Sequence, residues 1–270
     1  MKWERLLESL VNKAVYLLTL GIEAAILYRF YWSVPPRYYS QFDYYLQLVI
    51  IGIANPIIFV ALWRATNEDC GRLLPDPNSS DKERPTCGKC NAPRINYTVH
   101  HCRRCNACIE NMDHHCTFVG QCVGKSNMKY FLQFCLYIGL LLFYAILKMF
   151  WLFYTQNVER GVGVQGITWI YLPTPFIAPY VFYFSEADGG YPIFRTLDNF
   201  LFLICLAFCL FALTIMITVL SNLYKNKSEI DKLKKDTSPR PTRNTSEMAE
   251  IIYGLNPSFF DLVLPTSRRN

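Results

Sequence analysis

Residues 87–122 read CGKCNAPRINYTVHHCRRCNACIENMDHHCTFVGQC. This stretch holds seven of the chain's eleven cysteines (Cys87, Cys90, Cys102, Cys105, Cys108, Cys116 and Cys122) and all four histidines (His100, His101, His114 and His115). Cysteines two residues apart form metal-binding knuckles. Cys87 and Cys90 make one such pair, and Cys102, Cys105 and Cys108 make two that overlap. A structural zinc ion takes four thiolate or imidazole ligands in a closed tetrahedron. Eleven candidate donors therefore fill two tetrahedra and leave three over. The surplus falls in Asp113-His114-His115-Cys116, where a carboxylate, imidazoles and a thiol lie within four residues. Nucleophilic catalysis needs these groups: a thiol to ionise, an imidazole to take its proton and a carboxylate to hold that imidazole in one tautomer. The competing reading leaves Cys116 as a metal ligand or a bystander in a zinc scaffold.

On either side of this stretch the chain turns apolar. Of its 270 residues, 52% are hydrophobic, 16% aromatic and only 18% charged, and the mean hydropathy is +0.14. That composition excludes a disordered chain, a collagen-like repeat and an ordinary soluble enzyme. A bilayer core of about 30 Å needs about 20 apolar helical residues. Four segments qualify, at roughly 14–33, 44–64, 130–154 and 198–223. The apolar stretch 161–184 is broken by Pro173, Pro175 and Pro179 and reads as a membrane-hugging loop. Residues 1–13 carry Trp3, Leu6, Leu7, Leu10 and Val11 at helical spacing, which fits an interfacial helix before the first span.

Four spans put both termini and the 65–129 loop on one side. Ten Lys and Arg lie between Arg64 and Lys129 and nine between Lys225 and Asn270, whereas the opposite loops offer Arg37, Arg160 and Arg195. The positive-inside bias places the cysteine-rich loop and the tail in the cytosol. Disulfides are rare there, which favours zinc. The net charge of +6 sits beside spans, so headgroups or a phosphate-bearing cofactor explain it better than nucleic acid. Within the spans, Glu23 is expected near the midplane, and Lys148 is expected to snorkel to the far interface. In the tail, Thr237 to Ser246 reads as linker, and residues 248–264 are apolar enough to dock back. The expected fold class is thus an all-α multi-pass membrane protein. Residues 1–65 hold the interfacial helix and two spans, 66–129 the cytosolic two-zinc domain, 130–224 two further spans with their loop, and 225–270 the cytosolic tail.

The pattern Cys87-x2-Cys90-x10-His101-Cys102-x2-Cys105-x2-Cys108-x4-Asp113-His114-His115-Cys116-x5-Cys122-x4-Asn127-x3-Phe131 resembles the cysteine-rich domain of the DHHC protein S-acyltransferases. Four spans with this domain between the second and third also match that family. The resemblance implies a palmitoyltransferase that moves a long acyl chain from acyl-CoA to cysteine thiols of membrane-associated proteins through an acyl-enzyme. It implies one zinc ion on Cys87, Cys90, His101 and Cys108 and another on Cys102, Cys105, His115 and Cys122. Cys116 would be the nucleophile, His114 its base and Asp113 the residue orienting His114. Arg103, Arg104, Lys125 and Lys129 are candidates for the CoA phosphates, and His100 is left without a role. Its partners would be the bilayer, acyl-CoA, protein substrates and an accessory subunit, with no nucleic acid. The expected location is the endoplasmic reticulum or Golgi membrane, with termini and zinc domain cytosolic.

The supporting motifs differ from the family's usual form. Thr117-Phe118 stands in place of Pro-Trp, Thr98 in place of an Arg, and Asp69-Cys70-Gly71 in place of Asp-Pro-Gly. Ser228-Glu229-Ile230-Asp231 replaces Thr-Thr-x-Glu, and Asn256 lies among aromatics between Tyr253 and Phe260. Two other classes compete: a membrane zinc scaffold without catalysis, and a membrane-anchored RING-type ubiquitin ligase. The latter needs a longer spacer between its second and third ligand pairs and a separate terminal CxxC pair.

Overall fold

Long apolar runs become long helices because a helix satisfies every backbone hydrogen bond within itself. The computed structural model describes residues 2–27, 40–75, 86–96, 98–159 and 192–267. Helices α1 (Lys2–Leu27), α2 (Gln41–Asn67), α3 (Met128–Glu159) and α4 (Pro192–Tyr224) carry the apolar segments. Among the described residues, three stretches are long and apolar enough to cross a membrane: Gln41–Asn67, Met128–Trp151 and Phe200–Tyr224. In α1 the apolar part is the shorter Lys13–Ile22, and the helix runs unbroken from Lys2. Residues 28–33 of the expected first span, the side chain of Glu23 and the expected membrane-hugging loop lie outside the described residues. Ser40 starts α2, its hydroxyl accepting from the Asp43 amide at 3.1 Å.

The cysteine-rich segment is not helical. Five strands of two or three residues, β1 (Arg72–Leu73), β2 (His100–Cys102), β3 (Ala107–Ile109), β4 (His114–Cys116) and β5 (Gln121–Val123), make two antiparallel sheets, β1-β3-β2 and β4-β5. The fold is therefore mostly helical with small sheets rather than all-α. Runs this short carry no periodicity, and close cysteine spacing forces the chain to double back. Asn91 and Asn106 follow CxxC pairs at φ 54° and 50°, and Asn111 sits at 46°. Asn tolerates this left-handed conformation better than most side chains.

The chain divides into two compact units. One comprises Met1–Leu17, Ile53–Tyr137 and Ala212–Asn270, and the other Leu18–Gly52 and Ile138–Phe211. In the second unit, Leu141, Leu142, Ala145, Cys205 and Cys209 are buried, and Lys148 meets Asp43 at 3.6 Å. An ion pair thus receives the ammonium for which snorkelling is the expectation from sequence.

In the first unit, side chains of the cysteine-rich segment cap the end of α2. Gln121 Nε2 donates to the carbonyls of Ala65, Thr66 and Glu68 at 2.7–2.9 Å. Asn127 Nδ2 donates to Ala65 O at 3.1 Å and to Cys122 O at 2.9 Å, while its Oδ1 accepts from Gly124 N. Carbonyls at a helix end have no partner within the helix, so these two amides fasten the segment to α2.

Three short helices follow α4: α5 (Glu229–Leu233), α6 (Thr245–Tyr253) and α7 (Phe259–Val263). Each opens with a reciprocal capping box, Ser228 with Asp231, Asn244 with Glu247 and Ser258 with Asp261. Ile252 of α6 is buried in one apolar cluster with Met128, Phe131, Val219 and Leu223. The segment 261–266 binds one face of α3. Lys129 donates to Thr266 O at 3.0 Å, Gln133 to Leu262 O and Leu264 O at 3.1 Å, and Tyr137 to Val263 O. Those three residues recur every fourth position, one stripe of a helix.

Gly124 marks the closest approach in this unit. A Cβ there would overlap the Cys70 carbonyl oxygen and stand 2.6 Å from Ile109 Cγ2. Overpacking against backbone costs about 1–3 kcal/mol. Gly124→Ala is therefore expected to lower the thermal midpoint of the purified protein by about 2–10 °C. Tryptophan fluorescence reads this, and an unchanged midpoint would mean that the 70–71 and 109–110 backbone gives way.

Candidate active site

Successive side chains on a strand point to opposite faces. On β4 this separates the neighbours His114, His115 and Cys116: the first and third share one face, and His115 takes the other. The β4-β5 register sets His115 opposite Cys122, so both project to the same side. There the His115 Nδ1 lies 3.4 Å from Cys102 Sγ, 3.4 Å from Cys105 Sγ and 3.6 Å from Cys122 Sγ, and the Cys105 and Cys122 sulfurs are 3.5 Å apart. A tetrahedron with metal–sulfur bonds of about 2.3 Å and metal–nitrogen bonds of about 2.0 Å has edges of about 3.5–3.8 Å. The donor set and its spacing fit a metal ion.

The first sheet builds a second cluster by the same rule. The β2-β3 register sets His101 opposite Cys108, and Cys87 and Cys90 close the group, with Cys90 Sγ 3.5 Å from Cys108 Sγ. In each cluster the four donor atoms lie within 4.8 Å of one another. The Lys89 amide donates to Cys87; with burial opposing it and the Cys90 amide assisting, that thiol comes down to about 6. Burial pushes Cys108 up to about 12. In the other cluster, hydrogen bonds from Cys105 and Cys122 hold the Cys102 thiol well below its ordinary range. Adjacent β2 residues feed different clusters, His101 one and Cys102 the other, so the two interlock.

The opposite face of β4 carries the groups suited to nucleophilic chemistry. His114 Nδ1 lies 2.8 Å from Asp113 Oδ2, and the ring packs edge-on against Phe131 with centroids 5.5 Å apart. Burial alone would depress the imidazole, but hydrogen bonds to Asp113 and Cys116 and their charge outweigh it and raise the group to about 9. Cys116 is 5% exposed and belongs to an apolar cluster with Ala65, Val119, Met128, Cys135 and Val219. Its surroundings are thus the ends of apolar helices, with one polar neighbour that can exchange a proton.

Asp113 is itself held on both oxygens, by His114 on Oδ2 and by Asn222 Nδ2 at 2.8 Å on Oδ1. His100, left without a role by the sequence, is buried against the tail, with Nε2 3.2 Å from Ser228 Oγ and 3.4 Å from Asp231 Oδ1. Asp231 receives both Arg240 Nη atoms at 2.8 and 3.1 Å, one polar network joining β2 to α5. Sequence reading also passed over Gln121 and Asn222. A polar residue in the last turns of the apolar α4 was the available signal for Asn222, whereas nothing local distinguishes Gln121.

The four expected phosphate-binding cations fall in different settings. Arg103 and Arg104 are exposed in the turn between β2 and β3, and Arg104 lies 3.4 Å from Thr117 Oγ1. Lys125 is paired with Glu110 at 2.7 Å. Lys129 has no exposed surface; besides Thr266, it lies 4.0 Å from Asp261 and over the rings of Tyr130 and Tyr253. Phe118, at the place of the family's Trp, is exposed.

Comparison with known proteins gives the same answer as the geometry. The profile of the DHHC palmitoyltransferase domain matches residues 80–236. Palmitoyltransferase ZDHHC3 of Rattus norvegicus is 31% identical over 152 residues, 50% of this chain and 46% of its own length. Probable protein S-acyltransferase 14 of Arabidopsis thaliana is 31% identical over 224 residues, 78% of this chain and 64% of its own. Palmitoyltransferase swf1 of Schizosaccharomyces pombe is 30% identical over 143 residues, 49% of this chain and 38% of its own. The chain thus spans between about a third and two thirds of these relatives' lengths. With both metal-ligand clusters assembled and the profile covering more than half of its residues, the chain belongs to the DHHC palmitoyltransferase family.

Proposed function

We propose that this protein is an S-acyltransferase that carries a long acyl group from acyl-CoA to cysteine thiols of membrane-associated proteins. The observation that carries the reading is the sharing of one β4 face by Cys116 and His114, with Asp113 2.8 Å from the imidazole. In the first half-reaction His114 takes the Cys116 proton, and the thiolate attacks the thioester carbonyl. The carbon–sulfur bond to CoA breaks, and CoA leaves with the proton from His114. In the second half-reaction a protein thiol gives its proton to His114 and attacks acyl-Cys116. The acyl group moves to the new sulfur, and Cys116 leaves as thiolate and takes the proton back from His114. Asp113 keeps Nδ1 of His114 engaged, so that Nε2 faces the exchanging proton.

Zinc on the two clusters would supply structure, each ion closing a tetrahedron that this small domain cannot close with a core of its own. Cys87, Cys90, His101 and Cys108 would hold one ion and Cys102, Cys105, His115 and Cys122 the other. Arg103 and Arg104 are placed to pair with CoA phosphates, with Lys125 joining if it exchanges Glu110; the setting of Lys129 favours a role in holding the tail. An acyl chain of sixteen carbons gains about 12 kcal/mol from burial, so it stays in lipid and the reaction belongs at the membrane surface. Four spans, with residues 66–129 and the tail from 225 in the cytosol, satisfy the charge asymmetry. An endoplasmic reticulum or Golgi membrane and an accessory subunit are compatible with this reading.

Two measurements test this reading. Detergent-purified protein incubated with palmitoyl-CoA is expected to gain one palmitoyl mass that hydroxylamine removes, and Cys116→Ser is expected to gain none. A folded, zinc-replete wild type that takes no acyl group would overturn the stand-alone enzyme. Metal analysis should give two zinc ions per chain. Because the clusters interlock through β2, Cys87→Ser is expected to fall well below one zinc rather than stop at one; a clean loss of a single ion would show that the sites fold separately.

A further inference from the structure

The carboxylate that holds His114 has a second donor, and that donor comes from the end of α4. Asn222 is 1% exposed. Its Nδ2 gives one hydrogen to Asp113 Oδ1 at 2.8 Å and the other to Glu229 Oε1 at 2.9 Å. An amide bridging two carboxylates must present its nitrogen, since the reversed orientation would set three acceptor groups face to face. The Asn222 oxygen finds no hydrogen-bond partner among the described residues, where the side chain is held by its donor end. Glu229 is fixed in turn. Burial alone would raise its carboxyl, but hydrogen bonds from Lys232 and Asn222 outweigh this and lower it. Lys232 lies at 2.6 Å.

We infer that Asn222 is a positioning residue for the acyl-transfer site, its amide fixing the Asp113 carboxylate so that Oδ2 stays on His114, with Glu229 as its anchor on α5. This rests on the S-acyltransferase reading and adds to it a residue that, among the described residues, hydrogen-bonds to Asp113 and Glu229 and not to Cys116 or a metal ligand. The physical requirement is plain. A carboxylate with one free oxygen can rotate about its Cα–Cβ–Cγ torsions and release the imidazole. A second donor on the other oxygen removes that freedom at a site shielded from water. No other side-chain donor to Asp113 Oδ1 is found among the described residues.

The test is a double-mutant cycle on the full chain in detergent. Asn222→Ala is expected to keep two zinc ions and a thermal midpoint within a few degrees of wild type, yet to form the palmitoyl-enzyme about tenfold more slowly or worse, as loss of a hydrogen bond to a charged group predicts. Asp113→Ala should be slower still, and the double variant no slower than Asp113→Ala, because the amide acts only through that carboxylate. Asn222→Asp, which sets a third carboxylate against the other two, should be worse than Asn222→Ala. The proposal is overturned if Asn222→Ala acylates at the wild-type rate, if the two losses multiply, or if zinc and midpoint fall together with rate. Alkylation of Cys116 by iodoacetamide needs no acyl-CoA and should show the same ordering. A wild type that alkylates rapidly but never acylates would therefore sink the acyltransferase reading while leaving the Asn222 effect measurable.

Discussion

The two-residue period of an extended strand is the constraint on which the site depends. His114, His115 and Cys116 are neighbours in sequence, and on a helix side chains one and two apart would fan round the axis, pairing none of them. As a strand, β4 sends His115 to the sulfurs of Cys102, Cys105 and Cys122 and leaves Cys116 with His114. The same division on β2 gives His101 to one cluster, Cys102 to the other and His100 to the tail. Strands of three residues have no stability of their own. The metal clusters, the backbone pairing and the two capping amides from Gln121 and Asn127 must hold them together.

This explains why the site sits where the helices end. Gln121 and Asn127 bind the last carbonyls of α2, and α3 begins at Met128, immediately after the cysteine-rich segment. Cys116 thereby packs among residues of α2, α3 and α4 rather than facing open water. His114, raised by Asp113 and Cys116, is the neighbour placed to take the proton of that thiol. The chemistry proposed here needs both halves of this arrangement: an apolar floor for an acyl chain and one imidazole able to move a proton.

Hydropathy makes three spans legible because long apolar runs allow few other structures, and observed α2, α3 and α4 begin and end within several residues of the expected segments. The clusters of four Cys and His were legible through spacing together with family resemblance, since spacing alone left eleven donors for eight places. The short strands were not, because three residues hold too little pattern to separate strand from turn. His100 looked incidental because its partners, Ser228 and Asp231, lie more than a hundred residues away. Lys129 looked like a phosphate ligand for the opposite reason: a lysine next to a span has the composition of a headgroup contact, and only tertiary structure reveals Thr266 and Asp261 around its ammonium.

The drifted motifs follow from the same long-range logic. In Ser228-Glu229-Ile230-Asp231 the hydroxyl and the last carboxylate still form a capping box, and Asp231 also takes His100 and Arg240. Glu229, however, is an acidic side chain near an already acidic Asp113. Two ionised carboxylates share such a space at lower cost when a donor stands between them. Asn222 is that donor, with one amide hydrogen for each. Substitution at 229 and the identity of residue 222 are therefore coupled. A neutral hydroxyl at 229 could have donated directly and left 222 unconstrained, whereas a carboxylate at 229 makes an amide at 222 the simplest arrangement that leaves Asp113 free to hold His114.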